Sequence, residues 1–360
     1  MRIVHVAEVD PSPATGMGRV AWHWQREAEQ RNVPFMHIGP RQLPALRHPA
    51  QFPRAARRLY RTMGQPGDCL VVHEPASGAF VGFPSPLVAV SHGIERRLWQ
   101  MQCAGVFGDD QRPSVKTRVT FPWWRLRQAD RGLRRATHVF VLNQQDAAFV
   151  QDYYGRQAGD VTVLQHGVDP TPLTAEDVPS GLVTVLFLGS WIARKGVSAL
   201  VRAAAILAAE GHALQWVLAG TGGDADGIRA QFPAGIRDRV RVIPAFVSTG
   251  EAEVFRQAHI FVLPSLFEGQ PLALLQAMAS GRCCVTSDGC GQRDLIRHGV
   301  NGLLFPPGDA DACAAALRRC ATDAALRTDL GRAAQASVAG RTWARAAGQA
   351  LDHILRVAAR

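Results

Sequence analysis

Lysine is nearly absent from this chain: among its 40 basic residues only Lys116 and Lys195 are not arginine. Whatever replaced the ordinary surface lysines left these two, so the setting of each is informative. Also missing is any apolar run near the roughly 18 to 20 residues that a membrane-spanning helix requires. The opening Arg2-Ile3-Val4-His5-Val6 lacks the layout of a signal peptide, and the chain reads as cytoplasmic. There is no CxxC pair. The cysteines, Cys69, Cys103, Cys283, Cys284, Cys290, Cys313 and Cys320, are odd in number without zinc-ligand spacing, and read as reduced thiols filling cores or helices. No fixed-period repeat or low-complexity tail is present.

What remains is an ordinary globular composition, 47% hydrophobic and 19% charged, over 360 residues, which suits two domains that each bury a core. The formal charge of +10 favours an anionic partner: a nucleotide, nucleic acid or a lipid surface. No nucleic-acid recognition motif accompanies the charge, so nucleic acid is not the expected partner.

Short apolar strands are expected at 2–7, 34–38, 69–72, 87–91, 138–142 and 161–164, with a helix over 19–31, an alternation that predicts a parallel sheet with helices on both faces. Prolines and turn formers between 169 and 181 mark a linker, bounded at 171–181. The pattern then restarts with strands at 182–188, 214–219, 240–243, 260–263, 283–286 and 302–305, and a helix from about 197. The domains are therefore 1–170 and 182–340, with two or three Ala/Arg/Leu-rich helices over 310–355.

Gly16-Met17-Gly18-Arg19-Val20-Ala21 fits the short GxGxxA pattern that holds a pyrophosphate at a helix start. The stretch Asp10 to Thr15 intervenes between it and its strand, and the second strand ends His37-Ile38-Gly39-Pro40 without an acid for a ribose diol, which argues against a dinucleotide enzyme. The loop can still bring the N–H groups of Gly16 and Gly18 to an anion, or act only as a flexible connector.

In the second half, Gly189-Ser190-Trp191-Ile192-Ala193-Arg194-Lys195-Gly196 follows a strand and precedes a helix. Two cations at a helix start oppose its dipole unless an anion is present, so Arg194 and Lys195 suit a diphosphate. Pro271 is expected as the first residue of a helix, leaving the N–H groups of Gln270, Leu272 and Ala273 to face an anion, with Glu268 just ahead as helix cap or acceptor of sugar hydroxyls. The triplets Asp224-Ala225-Asp226 and Asp309-Ala310-Asp311 stand at expected helix starts and read as caps; no catalytic metal and no cofactor is expected.

These stretches together resemble the retaining glycosyltransferases of family 4, over the whole length from Arg2 to the final helices. The resemblance rests on Pro264-Ser265-Leu266-Phe267-Glu268-Gly269 with Ala277-Met278-Ala279-Ser280-Gly281, and on Arg194-Lys195-Gly196, Ala219-Gly220-Thr221-Gly222, His166-Gly167-Val168-Asp169, Asn301-Gly302-Leu303-Leu304 and Trp343. It implies the α/β GT-B architecture: two Rossmann-like domains whose parallel sheets face a central cleft, with a terminal helix, 341–360, crossing back to the N-terminal domain. It further implies a nucleotide-diphosphate sugar donor, with Arg194, Lys195, Gln270 and Leu272 on its diphosphate. His92 and Glu268 become the catalytic residues, and Gly16 and Gly18 a phosphate or acceptor loop. The family's second glutamate is here Gln276, so an amide replaces the usual carboxylate on the donor ribose. Ser190 stands where the family often carries arginine. Both departures leave open a non-catalytic nucleotide-sugar-binding or scaffold protein on the same fold.

The acceptor, a glycan or a lipid-linked sugar in cell-surface polysaccharide or glycolipid synthesis, is expected on the first domain. There Arg96, Arg97, Arg112, Lys116, Arg118, Arg125, Arg127, Arg131, Arg134 and Arg135 surround Phe121-Pro122-Trp123-Trp124. Such residues can rest on an anionic membrane at the cytoplasmic face, stack on sugars, or form a solvated face with a tryptophan in the core.

Overall fold

The computed structural model describes every residue except 15, 172, 178, 179, 247–249 and 360. The chain divides into two compact units, Met1–Gly167 with Trp343–Arg360, and Val168–Thr342.

The first unit carries six parallel strands, β1 (Arg2–Val6), β2 (Phe35–Ile38), β3 (Asp68–His73), β4 (Leu87–Val90), β5 (His138–Val141) and β6 (Val161–Val163), in the order β2-β1-β3-β4-β5-β6. Every residue of β3, β4 and β5 is buried, as expected where helices cover both faces of a parallel sheet. The helix Gly16–Gln30 begins at Gly16 rather than near Arg19, and buries Val20, Ala21, Trp24 and Ala28 along one stripe. The terminal helix Trp343–Ala358 packs against it. Trp343 stacks on His23 with centroids 4.4 Å apart, and Arg31 pairs with Asp352 at 2.5 Å.

The second unit repeats the plan with β7 (Thr184–Leu188), β8 (Gln215–Ala219), β9 (Val240–Ile243), β10 (Ile260–Leu263), β11 (Cys283–Ser287) and β12 (Leu303–Phe305), ordered β12-β11-β10-β7-β8-β9. Of the segment read as a linker, 174–177 is tied into this unit by the fully buried Arg282. Its guanidinium donates to the carbonyls of Asp177 (2.8 Å), Ala258 (3.0 Å), Ser280 (2.7 Å) and Thr174. Pro172, Val178 and Pro179 of the same segment lie outside the described residues.

Asp224 accepts from the N–H groups of Asp226 and Gly227 at 3.0 Å, and Asp309 from that of Ala312 at 2.9 Å, so both triplets cap helices. All seven cysteines are free thiols and only Cys103 is not fully buried; burial pushes the Cys69 and Cys313 thiols up to about 12.

Candidate functional site

In an open α/β sheet, ligands bind beyond the carboxyl ends of the strands where the strand order reverses. In the second unit that place lies between β7 and β10. The loops following these two strands, 189–196 and 264–271, are bonded together: the Leu266 N–H donates to the Arg194 carbonyl at 2.8 Å, and Arg194 Nη1 donates to the Phe267 carbonyl at 3.1 Å. Gly196 has φ +70°, and a Cβ there would lie 1.9 Å from the Pro264 carbonyl oxygen, so only glycine permits this approach. The residues after β10 are also braced from β11 and the helix Cys290–Leu295 that follows it: Ser287 Oγ donates to the Ser265 carbonyl at 2.5 Å, and Gln292 Nε2 to the same oxygen at 3.1 Å. Gly196→Ala is expected to cost about 2 kcal/mol or more, from the left-handed conformation plus the backbone collision. A thermal melt checks this, with a fall of about 4–8 °C or more.

The bracing sets a charge cluster. Lys195 Nζ stands 2.5 Å from Glu268 Oε1, which also accepts from Ser265 Oγ at 2.7 Å, while Arg194 Nη1 is 3.8 Å from Glu268 Oε2. Burial raises the Glu268 carboxyl, but Lys195 and then Arg194 outweigh it and hold the group below its ordinary range. Two cations face one carboxylate, a positive surplus that an anion can complete. The helix Leu272–Ala279 begins just beyond, with Pro271 extended at φ −75°, ψ 110° as its cap; this corrects the expectation that Pro271 is the first helical residue. The Leu272 and Ala273 N–H groups fall in the first turn, where no intrahelical acceptor exists. Gln276, on this helix, donates through Nε2 to Glu251 Oε2 at 3.2 Å, so a carboxylate not singled out in the sequence stands beside the amide.

In the first unit the order reverses between β1 and β3. Gly16 and Gly18 form the first turn of the helix after β1, and the Gly18 carbonyl accepts from the Ser12 N–H at 3.0 Å. His92 follows β4 and is partly exposed. Its Nε2 is 3.0 Å from His73 Nδ1, His73 Nε2 is 2.9 Å from His5 Nε2, and His5 Nδ1 is 2.9 Å from His37 Nδ1. His37 Nε2 then faces Asp10 Oδ1 at 3.6 Å. Four neighbouring positions of the sheet thus supply one continuous row of imidazoles.

Burial lowers the pKa of all four: His92 to about 4, His5 and His73 well down, and His37 less, because Asp10 opposes the shift. The unfolded chain therefore binds protons that the folded chain refuses, and stability falls as the pH drops from about 6.5 towards 4. The His92 displacement alone is worth on the order of 3 kcal/mol, at about 1.4 kcal/mol per pH unit. Denaturant unfolding at pH 7 and pH 4 is expected to show this loss, and equal stability at the two values contradicts it.

The carboxylates at the same end of this sheet escaped the sequence analysis. Arg125 forks onto Glu95 at 2.6 and 2.9 Å and reaches Glu8 at 3.4 Å. Burial, with Glu95 nearby, pushes the Glu74 carboxyl well above its ordinary range. Arg96 pairs with Asp130 and Arg97 with Asp146, so three arginines of the expected basic patch are internally paired. Beside them Val115, Val119 and Trp123 are 80, 70 and 68% exposed at four-residue spacing. No described helix is long and apolar enough to cross a membrane.

Residues 183–323 match the family model described as Glycosyl transferases group 1, and residues 19–171 match Glycosyltransferase Family 4. The chain belongs to this glycosyltransferase family. A D-inositol 3-phosphate glycosyltransferase of Nocardiopsis dassonvillei is 28% identical over 250 residues, 64% of this chain and 58% of its own length. A sucrose-phosphate synthase from Thermosynechococcus elongatus superposes with a TM-score of 0.79 at 20% identity, covering 100% of both chains. HepE of Anabaena, solved in complex with UDP, gives 0.70 at 17% identity, covering 99% of this chain and 100% of its own. The chain spans about half the length of the first curated relatives it matches. The superpositions show the fold: the two α/β units of this family member are of the GT-B type.

Proposed function

We propose that this family member is a retaining glycosyltransferase that moves a sugar from a nucleotide-diphosphate donor to a glycan or lipid-linked acceptor. The observation that carries the reading is the surplus-positive Arg194–Lys195–Glu268 cluster at the β7/β10 reversal, beside the first turn of the helix Leu272–Ala279. Arg194 and Lys195, with the N–H groups of Gln270 and Leu272, would hold the diphosphate. Glu268 would accept hydroxyls of the donor sugar, and Gln276 with Glu251 would take those of the ribose. His92 would act near the reacting sugar and Gly16 and Gly18 would offer N–H groups to an anionic part of a substrate.

In the reaction the bond from the anomeric carbon to the diphosphate oxygen breaks as the acceptor oxygen bonds to that carbon. The acceptor proton passes to the departing diphosphate. The protein supplies charge neutralisation and position. A metal-free reaction is part of the proposal, supported by Asp224 and Asp309 being engaged as caps.

The exposed Val115, Val119 and Trp123, with Arg112, Lys116 and Arg118 alongside, support peripheral contact with an anionic membrane that carries a lipid-linked acceptor. Co-sedimentation with anionic vesicles is expected for the native protein and is expected to drop about tenfold or more in a Val119→Glu/Trp123→Glu variant; equal sedimentation sinks the membrane contact.

Gln276 and Ser190 favour one rival, a non-catalytic nucleotide-sugar-binding protein. Turnover separates the two. Incubation with UDP-, GDP- and ADP-sugars and mixed glycan acceptors is expected to release nucleoside diphosphate and give a product that keeps the donor's anomeric configuration. Binding without release would support the rival.

A further inference from the structure

The row of imidazoles in the first unit has a direction, and its far end sets it. His37 Nε2 is buried without a hydrogen bond to any described residue, and the carboxylate oxygen Asp10 Oδ1 faces it at 3.6 Å. Room for this contact depends on Gly39. A Cβ there would fall 2.2 Å from His37 Nε2 and 2.5 Å from Asp10 Oδ1. Asp10 is itself held by the Arg41 N–H at 3.5 Å and Arg41 Nε at 3.7 Å.

A nitrogen that faces a carboxylate oxygen carries its hydrogen, and a neutral imidazole then has a bare lone pair on the other nitrogen. His37 Nδ1 must therefore accept, and the hydrogen between it and His5 sits on His5 Nδ1. His5 Nε2 then accepts from His73 Nε2–H, and His73 Nδ1 accepts from His92 Nε2–H. The reverse direction would set the His37 lone pair against the Asp10 carboxylate, or would require a buried imidazolium.

We propose that Asp10, His37, His5 and His73 are positioning residues that fix His92 as its Nε2–H tautomer, so that its Nδ1 is a hydrogen-bond acceptor for a ligand hydroxyl. His92 Nδ1 makes no hydrogen bond with any described residue, and His92 is the partly exposed end of the row away from Asp10. Neutral imidazoles buried in series polarise one another in a common direction, which favours one tautomer over a mixture. The group that His92 recognises is then a donor such as a sugar hydroxyl, and a ligand offering an ether or carbonyl oxygen there would meet a lone pair. The hydroxyl assignment rests on the glycosyltransferase reading; the tautomer does not.

The test is nitrogen NMR of the full, ligand-free chain with labelled histidine, the His92 signals assigned by their loss in His92→Gln. The native protein is expected to show His92 protonated on Nε2. In Asp10→Asn, where an amide can turn its donors towards His37, the Nδ1–H form of His92 is expected to rise about tenfold. If that variant fails to fold, His5→Phe, which cuts the row, is expected to give the same rise. His92 protonated on Nδ1 in the native protein, or an unchanged tautomer in the folded variant, overturns the proposal. Because no substrate is present, a protein that binds no nucleotide sugar sinks the transferase reading without touching this result.

Discussion

Lys195→Ala is expected to weaken binding of the nucleotide-diphosphate donor about 10- to 100-fold. A charge-assisted hydrogen bond to phosphate contributes about 1.5–3 kcal/mol, and each 1.4 kcal/mol is about tenfold in affinity. Lys195 also neutralises Glu268 at 2.5 Å, and the variant leaves that buried carboxylate with Ser265 Oγ at 2.7 Å and with Arg194 at 3.8 Å. The Glu268 carboxyl must then titrate higher than in the native protein. Its lowered value contributes stability above the ordinary carboxylate range that is lost as the pH falls through the folded value, and Lys195→Ala is expected to shrink that contribution. Lys195→Arg is not conservative, because a planar fork replaces a compact point charge. Calorimetric titration of a nucleoside diphosphate into native and variant protein reads the difference, and a change under about threefold sets the charge role aside.

Arg282→Ala is the second large effect, and it falls on stability. The guanidinium is fully buried and satisfies the carbonyls of Thr174, Asp177, Ala258 and Ser280, drawn from three separate stretches of the second unit. Truncation strands these acceptors together with a cavity, at about 3–5 kcal/mol. The melting temperature of this unit is then expected to fall by about 6–20 °C. Arg282→Lys, with the charge but not the fork, is expected to lie between the two; a variant melting within a degree or two of the native protein contradicts the role given to these bonds.

The second unit's site was legible because its charges and glycines are contiguous: Arg194-Lys195-Gly196 and Glu268 to Leu272 each lie within one loop and its following helix turn, and the strand order brings the two loops together. The row of histidines was not. His5, His37, His73 and His92 are far apart in sequence, and only parallel pairing of β2, β1, β3 and β4 places them side by side. A faint signal existed, since each lies in or just after a short apolar strand, yet a single histidine at a strand end is commonly structural.

Charge was misread where pairing decides it. Arg96, Arg97 and Arg125 looked like surface cations because their carboxylates, Asp130, Asp146, Glu95 and Glu8, come from other segments. The segment 171–181 looked like a linker from its prolines, while Arg282, which ties 174–177 to the second unit, lies a hundred residues further on.

The central claim is that the loops after β7 and β10 hold a nucleotide-diphosphate sugar. A panel of UDP-, GDP- and ADP-sugars, each tested for its shift of the native melting temperature and repeated on Lys195→Ala and Glu268→Ala, tests it most directly, because a ligand of the folded state raises apparent stability. The account predicts a selective shift with one nucleotide that is lost in Lys195→Ala. No shift with any of them, or an equal shift in the native protein and Lys195→Ala, would contradict it.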